Sequence, residues 1–303
     1  MQTKLVVSSS PFLRDASVST RRLMGDVVIA LIPTALAAIW FFGAPALALM
    51  LVSVVFAVLS ELVYEKITHQ KTTIDDLSAV VTGLLLAFNL PANAPWWMAA
   101  IGSIIAIVLV KQMFGGIGQN FINPALAART ILMLSWAGLI AATALPAGGQ
   151  LFGLTTVPVD AVASATPLVS SSYSLWQLFI GDVPGMLGET CKLTLILGGV
   201  YLIVRKVIDW RIPVFFIATA FILFWIQTGV IYSVESGTDN ALYQILSGGL
   251  LLGAFFMATD YVTSPVSKWG KVVMGIGCAV ILFVIRAYNN SYPEGCSFAI
   301  LFM

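Results

Sequence analysis

The stretch LSAVVTGLLLAFNLP, residues 77–91, is almost entirely apolar and carries no charged side chain, yet it is short for a membrane crossing. A bilayer core about 30 Å thick requires around 20 helical residues. This run ends at Asn89, Leu90 and Pro91, and proline stops a helix. Because unpaired backbone groups are costly in hydrocarbon, a short segment of this kind requires protein around it. The stretch therefore predicts a broken helix inside a multi-helix membrane protein.

The composition of the whole chain indicates the same class. Of the 303 residues, 59% are hydrophobic and 10% are charged, and the mean hydropathy is +0.97; soluble domains carry roughly a quarter charged residues. A net charge of +1 provides no basic footprint for nucleic acid. Cys191, Cys278 and Cys296 are scattered, which argues against a disulfide scaffold and a metal site. We therefore predict an all-α integral membrane protein that binds no nucleic acid and has no metal site of its own.

Apolar runs of helix size recur along the chain and predict nine to ten transmembrane helices. The last run is too short to cross, so we expect an incomplete final helix and leave open whether the chain ends at Met303. The polar first residues lack the short apolar core of a cleavable signal. The runs cover residues 24–42, 45–64, 77–90, 96–110, 121–144, 193–204, 213–231, 242–258, 272–285 and 296–303.

The positions of lysine and arginine predict the orientation, because cytoplasmic loops are enriched in these residues. A cytosolic N-terminus places all 15 of them on the cytosolic side except Arg129, Lys192 and Arg286. No Lys or Arg occurs in residues 145–191, so this interval is predicted to lie outside the cytosol. We expect a cytosolic arm (1–23), a first membrane repeat (24–144), an extracytoplasmic loop (145–191) and a second membrane repeat (192–303).

A weak internal similarity suggests that the two membrane halves are repeats. GLLLAF at 83–88 recurs as GLLLGAF at 249–255, and GQNF at 118–121 resembles GCSF at 295–298. Five predicted spans precede the long loop, so the second copy would enter from the opposite face, giving an inverted repeat of five plus five helices. Chance similarity among Gly, Leu and Phe is the alternative. A true repeat would place cofactor or ion sites near the broken third and eighth segments.

The loop contains the small-residue stretch VDAVASATPL at 159–168. Pro167 favours an extended backbone at Thr166, and the small neighbours leave the Thr166 hydroxyl accessible. Such a segment suits the attachment of a bulky group, but it suits an exposed turn as well. On the residues alone, the exposed turn is favoured.

This stretch resembles the flavin-attachment motif of the membrane subunits of the Rnf and sodium-pumping quinone-reductase complexes. The resemblance implies that FMN is joined through its phosphate to the Thr166 hydroxyl, six residues after Asp160, with Ser164 and Ala165 completing the motif. Ala163 stands where the family usually has Ser or Thr, and Ser164 where it usually has Gly.

Three further segments carry the resemblance beyond this loop. They are GGIGQNFINPA at 115–125, FFMATD at 255–260 followed by TSP at 263–265, and TGLLLA at 82–87. Together they extend over most of residues 75–302. The chain is thus identified as a member of this family, and its short N-terminal arm favours the Rnf branch over the quinone-reductase branch.

The glycine-rich turn has a physical interpretation of its own. Gly115, Gly116 and Gly118 permit positive φ and a close backbone approach, while Asn123 and Pro124 suit the start of a helix. Such a start offers N–H groups to an anion or a polar ring edge; an ordinary turn between spans is equally compatible. The resemblance implies a second, non-covalent flavin, riboflavin. Asn120 and Asn123 are the predicted contacts, with the three glycines and Arg129 as further candidates for flavin or phosphate.

Ionisable side chains within apolar runs are costly unless they are paired. Arg129 is therefore expected either to neutralise a flavin or to pair with a carboxylate. Asp260 could cap the following turn or line a cation path, and His69 is expected to be solvated. Solvated or capping roles are predicted for the acids near the ends of apolar runs: Asp26, Glu61, Asp75 and Asp76.

The resemblance implies a subunit of a redox-driven cation pump of a prokaryotic plasma membrane, which moves electrons between ferredoxin and NAD coupled to Na⁺ or H⁺ transport. The chain would relay electrons from an FMN-bearing extracytoplasmic subunit, next to iron–sulfur membrane subunits, and would carry no catalytic residue of its own. Composition and broken helices equally fit a secondary transporter or channel without a cofactor, or a membrane scaffold.

Overall fold

The computed structural model describes residues 19–143, 146, 167–168, 173–231, 240–288 and 294–303, together with the backbone of residues 5–7 and 13–15. Helices form most of the described chain, which confirms the predicted helical membrane architecture at this level. The helices are α1 (Thr20–Phe42), α2 (Ala44–Ile67), α3 (Ser78–Phe88), α4 (Trp96–Ile104), α5 (Pro124–Ser135), α6 (Ala137–Ala141), α7 (Leu175–Ile180), α8 (Lys192–Val204), α9 (Arg211–Thr228), α10 (Ala241–Leu246), α11 (Leu250–Leu252), α12 (Lys268–Tyr288) and α13 (Cys296–Phe302).

Within the described residues, five helical stretches are long and apolar enough to cross a membrane. They are α1, α2, α9, α12 and the continuous stretch Trp96–Phe114, in which α4 is extended by a π-helix and a 3₁₀ turn. Shorter apolar helices, α3, α5 and α8, pack among them. The count of nine to ten crossing helices stays a prediction.

The structure differs from the expected segments at several places. The run 121–144 is not one helix: α5 begins at Pro124, and the chain breaks at Trp136 before α6. The run 242–258 is interrupted between α10 and α11, where Ser247 is extended and Gly248 has a φ of 65°. The arm departs from the all-α prediction, because Leu5–Val7 and Leu13–Asp15 form an antiparallel strand pair. Local turns thus break the helix within segments that are apolar throughout.

Two broken helical segments meet inside the molecule. Segment one is α3, which ends at Phe88, and segment two is α11 with its π-helical extension Gly253–Met257. The Asn89 amide nitrogen donates to the Leu85 carbonyl (2.6 Å) and contacts the Met257 sulfur (3.7 Å). The Asn123 amide nitrogen donates to the Met257 carbonyl (3.3 Å). Side-chain amides therefore satisfy polar groups that helix interruption leaves open.

A glycine allows α3 to approach α2 closely. The Gly83 carbonyl accepts a hydrogen bond from the Ser53 hydroxyl (2.7 Å), and Ser53 also contacts the Ser103 hydroxyl of α4 (3.0 Å). A Cβ atom on Gly83 would lie 2.9 Å from the Val54 Cα atom. Because this neighbour is backbone, the helix must move to accommodate any side chain. The short α3 is thereby held against a long membrane helix.

We predict that Gly83→Ala lowers the free energy of unfolding by about 1–3 kcal/mol, because the added methyl group overpacks the α2–α3 contact. Denaturant unfolding in detergent, followed by tryptophan fluorescence, measures this change. Gly138→Ala is the matched control, since no atom lies within 4 Å of a Cβ at Gly138. Equal stability of the two variants would contradict the packing argument.

Candidate functional site

A cavity of about 370 Å³ lies beside the N-terminal ends of α1, α3 and α5. Its walls are largely apolar and include Val27, Val81, Leu85, Phe255 and Phe256. The broken segment that ends at Met257 closes one side, so the meeting point of the two broken segments determines the shape of the cavity. Pockets for organic ligands commonly have volumes of about 300–1,000 Å³.

Polar groups converge on one part of this cavity. The glycine-rich turn contributes Gly118, Asn120 and Asn123, and the turn after Met257 contributes Thr259 and Asp260. Asn123 caps α5 as predicted: its side-chain oxygen accepts from the backbone N–H groups of residues 125 (3.1 Å) and 126 (3.3 Å). The Asn120 amide nitrogen donates to the Ile122 carbonyl (3.0 Å). The cavity thus combines apolar walls with an amide-rich polar edge.

The predicted conformation of the three glycines is confirmed, with φ of 115° at Gly115, 88° at Gly116 and 87° at Gly118. Only Gly118 of these three lines the cavity; Gly115 and Gly116 shape the turn before it. Arg129 does not line the cavity either. The structure therefore brings Gly118, Asn120 and Asn123 together at one site and places Arg129 elsewhere.

Asp260 lies half-buried at the edge of the cavity. Burial raises the pKa of its carboxyl group, although hydrogen bonds from the Val262 backbone and the Asn120 side chain act in the opposite direction. A carboxyl group with a raised pKa is able to exchange a proton nearer neutral pH than an ordinary aspartate. Asp260 is thus a titratable carboxyl group on the polar edge of the cavity.

A buried ion pair beside the cavity was not predicted from the sequence. The Lys111 ammonium group, at the end of the π-helix, lies 2.6 Å from a Glu61 oxygen and 2.6 Å from the Ser78 hydroxyl. The Gln112 amide nitrogen also donates to Glu61 (2.8 Å). Glu61 was expected to be solvated or capping, but it is fully buried because Lys111 and Gln112 satisfy one of its oxygens. The available signals were Glu61 inside the apolar run 45–64 and Lys111 directly after the run 96–110.

The other acids near the ends of apolar runs have different environments. Asp76 caps α3 as predicted, since its carboxylate accepts from the Ser78 backbone N–H (2.7 Å). Asp75 is exposed, and His69 is exposed as expected. Asp26 is buried and pairs with Arg205 (3.1 Å).

Arg129 is part of a second polar site, which we call the charge cluster: Arg129, Glu189, Lys192, Arg286 and Glu294. Arg129 forms an ion pair with Glu294, and its guanidinium group also donates to the Ser297 hydroxyl. The predicted pairing with a carboxylate is therefore confirmed. The Glu189 and Glu294 side chains are neighbours that line the same small cavity. Lys192 donates to the Glu189 and Gly248 carbonyls, which joins α8 to the cluster.

The charge cluster and the cavity lie towards opposite ends of α8. Lys192 begins this helix, whereas Leu202, near its end, lines the cavity. With a rise of 1.5 Å per residue, these positions are about 15 Å apart along the helix axis. The two polar sites are thus separated by roughly half the thickness of a bilayer core.

The predicted attachment motif lies largely outside the described residues. Asp160, Ser164, Ala165 and Thr166 all belong to the part that the structure does not describe. The next residue, Pro167, is buried, and its carbonyl accepts a hydrogen bond from the Tyr243 hydroxyl (3.0 Å). The Leu168 side chain packs against Gly248, beside Arg286. The segment that follows Thr166 is therefore fixed next to the charge cluster.

Apolar helices of crossing length, broken segments that meet internally and buried polar sites define a multi-pass membrane protein with a cavity between its helices. The comparison with known families is more specific. Residues 6–303 match the model of the NQR2, RnfD, RnfE family, and the chain belongs to this family.

Several relatives align along nearly the full chain. The D subunit of the Na⁺-translocating ferredoxin:NAD⁺ oxidoreductase complex of Acetobacterium woodii is 45% identical, over 100% of this chain and 91% of the relative. The D subunit of the proton-translocating ferredoxin:NAD⁺ oxidoreductase complex of Clostridium ljungdahlii is 39% identical, over 98% and 90%. The D subunit of an ion-translocating oxidoreductase complex of Escherichia coli is 32% identical, over 97% and 92%. The resemblance found in the sequence is confirmed.

We predict that Arg129→Met lowers the free energy of unfolding by about 3–5 kcal/mol, because it leaves the buried Glu294 carboxylate without its cation. The double variant Arg129→Met/Glu294→Gln is expected to recover part of this loss. Arg205→Met is the comparison and is expected to cost much less, since 41% of the Arg205 side chain is exposed in its pair with Asp26 and solvent screens such pairs. Denaturant unfolding in detergent measures all three. Similar losses for Arg129→Met and Arg205→Met would contradict the importance of the buried pair.

Proposed function

We propose that this chain is the RnfD-type membrane subunit of an ion-translocating ferredoxin:NAD⁺ oxidoreductase and relays electrons through the membrane part of that complex. Full-length similarity to subunits of such complexes is the observation that carries the proposal. The relatives are named for sodium in one case and for protons in another. The transported ion of this chain therefore stays open between Na⁺ and H⁺.

Covalent FMN at Thr166 is the first part of the proposed relay. The flavin would supply the electron-accepting and electron-donating chemistry, while the protein supplies position and charge. A phosphate linked to the Thr166 hydroxyl is anionic, and the adjoining segment at Pro167 and Leu168 lies beside the cations Lys192 and Arg286. The two cations would attract a flavin phosphate, next to the carboxyl groups of Glu189 and Glu294 that line the same small cavity. A covalent link would also prevent loss of the cofactor at the outer face.

Riboflavin in the cavity is the second part. The fused rings of a flavin have apolar faces and a polar edge, which match the apolar walls and the amide-bearing edge of the cavity. Asn120 and Asn123 would hold the polar edge, and Asp260 would hold a proton beside it. Lys111 also lines the cavity, and its ammonium group would contribute a hydrogen-bond donor there while staying paired with Glu61.

An inverted repeat would explain why the two polar sites lie towards opposite ends of the helices. Four helices of the second half each start 172 residues after a helix of the first half: 192 − 20, 250 − 78, 268 − 96 and 296 − 124. The cavity adjoins the starts of α1, α3 and α5, and the charge cluster adjoins the starts of their counterparts α8, α11 and α13. The common offset supports a repeat with one site near each membrane face. Inversion would make these the cytosolic and outer faces.

The same arrangement suggests a location and partners. A multi-pass subunit of the prokaryotic plasma membrane with a cytosolic N-terminus would place the cavity on the cytosolic side and Thr166 outside. At the outer face, the subunit would receive electrons from an FMN-bearing subunit, near iron–sulfur membrane subunits of the complex. A transporter without cofactors would differ from this subunit in its flavin content. The homologous subunit of a sodium-pumping quinone reductase would differ in its electron donor.

We predict that Thr166→Ala abolishes covalent flavin while leaving membrane insertion intact, because the substitution removes only the hydroxyl that accepts the phosphoryl group. In-gel flavin fluorescence of the denatured chain and mass spectrometry of its peptides measure this loss. Ser164→Ala, which removes the other hydroxyl of the motif, is the matched control and is expected to retain the fluorescent band. A band of unchanged intensity in Thr166→Ala would refute this site.

We predict that Val27→Trp releases the non-covalent flavin, since Val27 lines the cavity and a tryptophan there would fill part of it. Flavin extracted after denaturation is quantified relative to protein, while the covalent band monitors the outer site. Ile29→Trp is the control on the same helix, because Ile29 is exposed on the helix surface. Retention of the extractable flavin in Val27→Trp would place its binding site outside this cavity.

A further inference from the structure

A group of cations lies where α8 ends and where α9 and α12 begin. It is formed by residues 204–211, which join α8 to α9, and by residues 266–273 around the start of α12; we call this surface the basic patch. The only acid in the two segments is Asp209, which pairs with both Arg211 (2.9 Å) and Lys271 (3.0 Å) and so joins them. The cations of the basic patch are Arg205, Lys206, Arg211, Lys268 and Lys271.

The basic patch carries more positive charge than nearby carboxylates balance. Arg205 pairs with Asp26 of α1 (3.1 Å), and Asp209 serves two cations at once. Lys206 and Lys268 are exposed, and neither has a carboxylate oxygen within 4 Å in the part of the chain that the structure describes. Five cations against two carboxylates leave a formal excess of three positive charges. The starts of α9 and α12 add positive partial charge at the same place.

The geometry of α9 and α12 places the basic patch at the level of lipid headgroups. Both helices are long and apolar enough to cross a membrane. They run parallel, since Gly275 packs against Ile212 near their starts and Phe283 contacts Phe224 near their ends. Their lengths correspond to about 27 and 32 Å, close to the thickness of a bilayer core. The first turns of both helices therefore lie together at one boundary of the membrane.

Exposed aromatic and apolar side chains continue from the basic patch along the two helices. Trp210 and Trp269 are exposed at the helix starts, and the Arg211 guanidinium carbon lies 5.4 Å from the centre of the Trp210 ring. Val214 and Val273, about one turn further along, are exposed as well. Tryptophan is enriched at the membrane–water boundary. Cations beside tryptophans and a lipid-facing apolar surface fit a phospholipid better than the acidic surface of a water-soluble protein.

The backbone of Lys206 is unusual for a lysine. Its φ is 57°, in the turn where the Val207 N–H donates to the Leu202 carbonyl (2.9 Å) and α8 ends. Glycine is favoured at such a left-handed position, because the Cβ atom of any other residue is strained there. Strained residues that persist are found mainly at functional sites. The exposed ammonium group of Lys206 is therefore a candidate for binding rather than for stabilising the fold.

We propose that the basic patch binds the phosphate headgroup of an anionic phospholipid, such as phosphatidylglycerol, in the leaflet on the cavity side. Lys206 and Lys268 supply the positive charge for the phosphate, and the acyl chains lie along the exposed apolar surface of α9 and α12. A headgroup held there also restrains the loop between α8 and α9, whose Ile208 forms part of the cavity wall. This lipid binding is independent of both flavins and of the orientation of the chain in the membrane.

The test is thermal unfolding of the purified full-length chain in a neutral detergent during titration with phosphatidylglycerol. A ligand that binds only the folded protein raises the melting temperature, so the concentration for half-maximal stabilisation reports the affinity. Phosphatidylcholine with the same acyl chains and inorganic phosphate are the two reference titrations, and both are expected to give much smaller shifts. Native mass spectrometry counts the lipid molecules that remain bound.

Lys206→Gln/Lys268→Gln is expected to need about tenfold more phosphatidylglycerol for the same stabilisation, because each basic residue near the membrane surface strengthens binding of anionic lipid. Lys66→Gln/Lys71→Gln is the matched control: it removes two exposed lysines at and after the end of α2 and should respond like the wild type. Lys206→Gly should be at least as stable as the wild type without lipid, since glycine relieves the strain, and should still need more lipid. This variant separates weaker binding from failure to fold.

A wild-type response to phosphatidylglycerol in Lys206→Gln/Lys268→Gln overturns the lipid site, and so does equal stabilisation of the wild type by phosphatidylcholine. Stabilisation by inorganic phosphate at the same concentrations would indicate a site for free anions and overturns it too. If this variant loses co-purifying subunits while its lipid response is unchanged, the basic patch binds an acidic protein surface instead.

Discussion

Where a helix is interrupted inside the bilayer, each backbone polar group that loses its helical hydrogen bond needs another partner. This requirement determines the structure at the centre of the molecule. The two broken segments end close together: the amide of Asn89, after α3, and the amide of Asn123, at the start of α5, both contact Met257 at the end of the second segment. Once these ends are satisfied, irregular backbone becomes possible between long helices. That irregular backbone forms the polar edge of the cavity, so the cavity is a consequence of how the breaks are paired.

Buried charged groups also need partners, and the kind of partner differs between the two polar sites. Beside the cavity, Lys111 is matched by Glu61 and the hydroxyl of Ser78. In the charge cluster, Arg129 is matched by Glu294, but Lys192 and Arg286 are held by carbonyl oxygens. The chain thus combines a cavity with apolar walls and a buried cluster of three cations and two carboxyl groups, about 15 Å apart along α8.

The sequence was sufficient for features that depend on short patterns. Hydropathy predicted a helical membrane protein, the Asn123–Pro124 pair predicted a capped helix start, and the family motifs predicted the family. The sequence was insufficient where a structural feature depends on contacts between residues that are distant in sequence. Glu61 was expected near solvent because nothing local indicates Lys111, 50 residues later. Likewise, the breaks near Trp136 and Gly248 depend on turn geometry within hydrophobic runs. The attachment motif itself lies outside the described residues, so Thr166 rests on resemblance and on the surroundings of Pro167.

The π-helical stretch Ile105–Lys111 has a consequence for how a membrane helix can turn a charge inward. A π-helical turn contains more residues than an α-helical one, so side chains after it are rotated relative to those before it. Ile104 and Leu109 are exposed on the helix surface, whereas Lys111 is buried against Glu61. Because of this rotation about the helix axis, one continuous helix exposes apolar side chains to lipid along most of its length. The ammonium group of Lys111 near its end nevertheless lies inside the protein. Losing a single residue from this stretch would restore the regular winding and rotate that ammonium group away from its carboxylate.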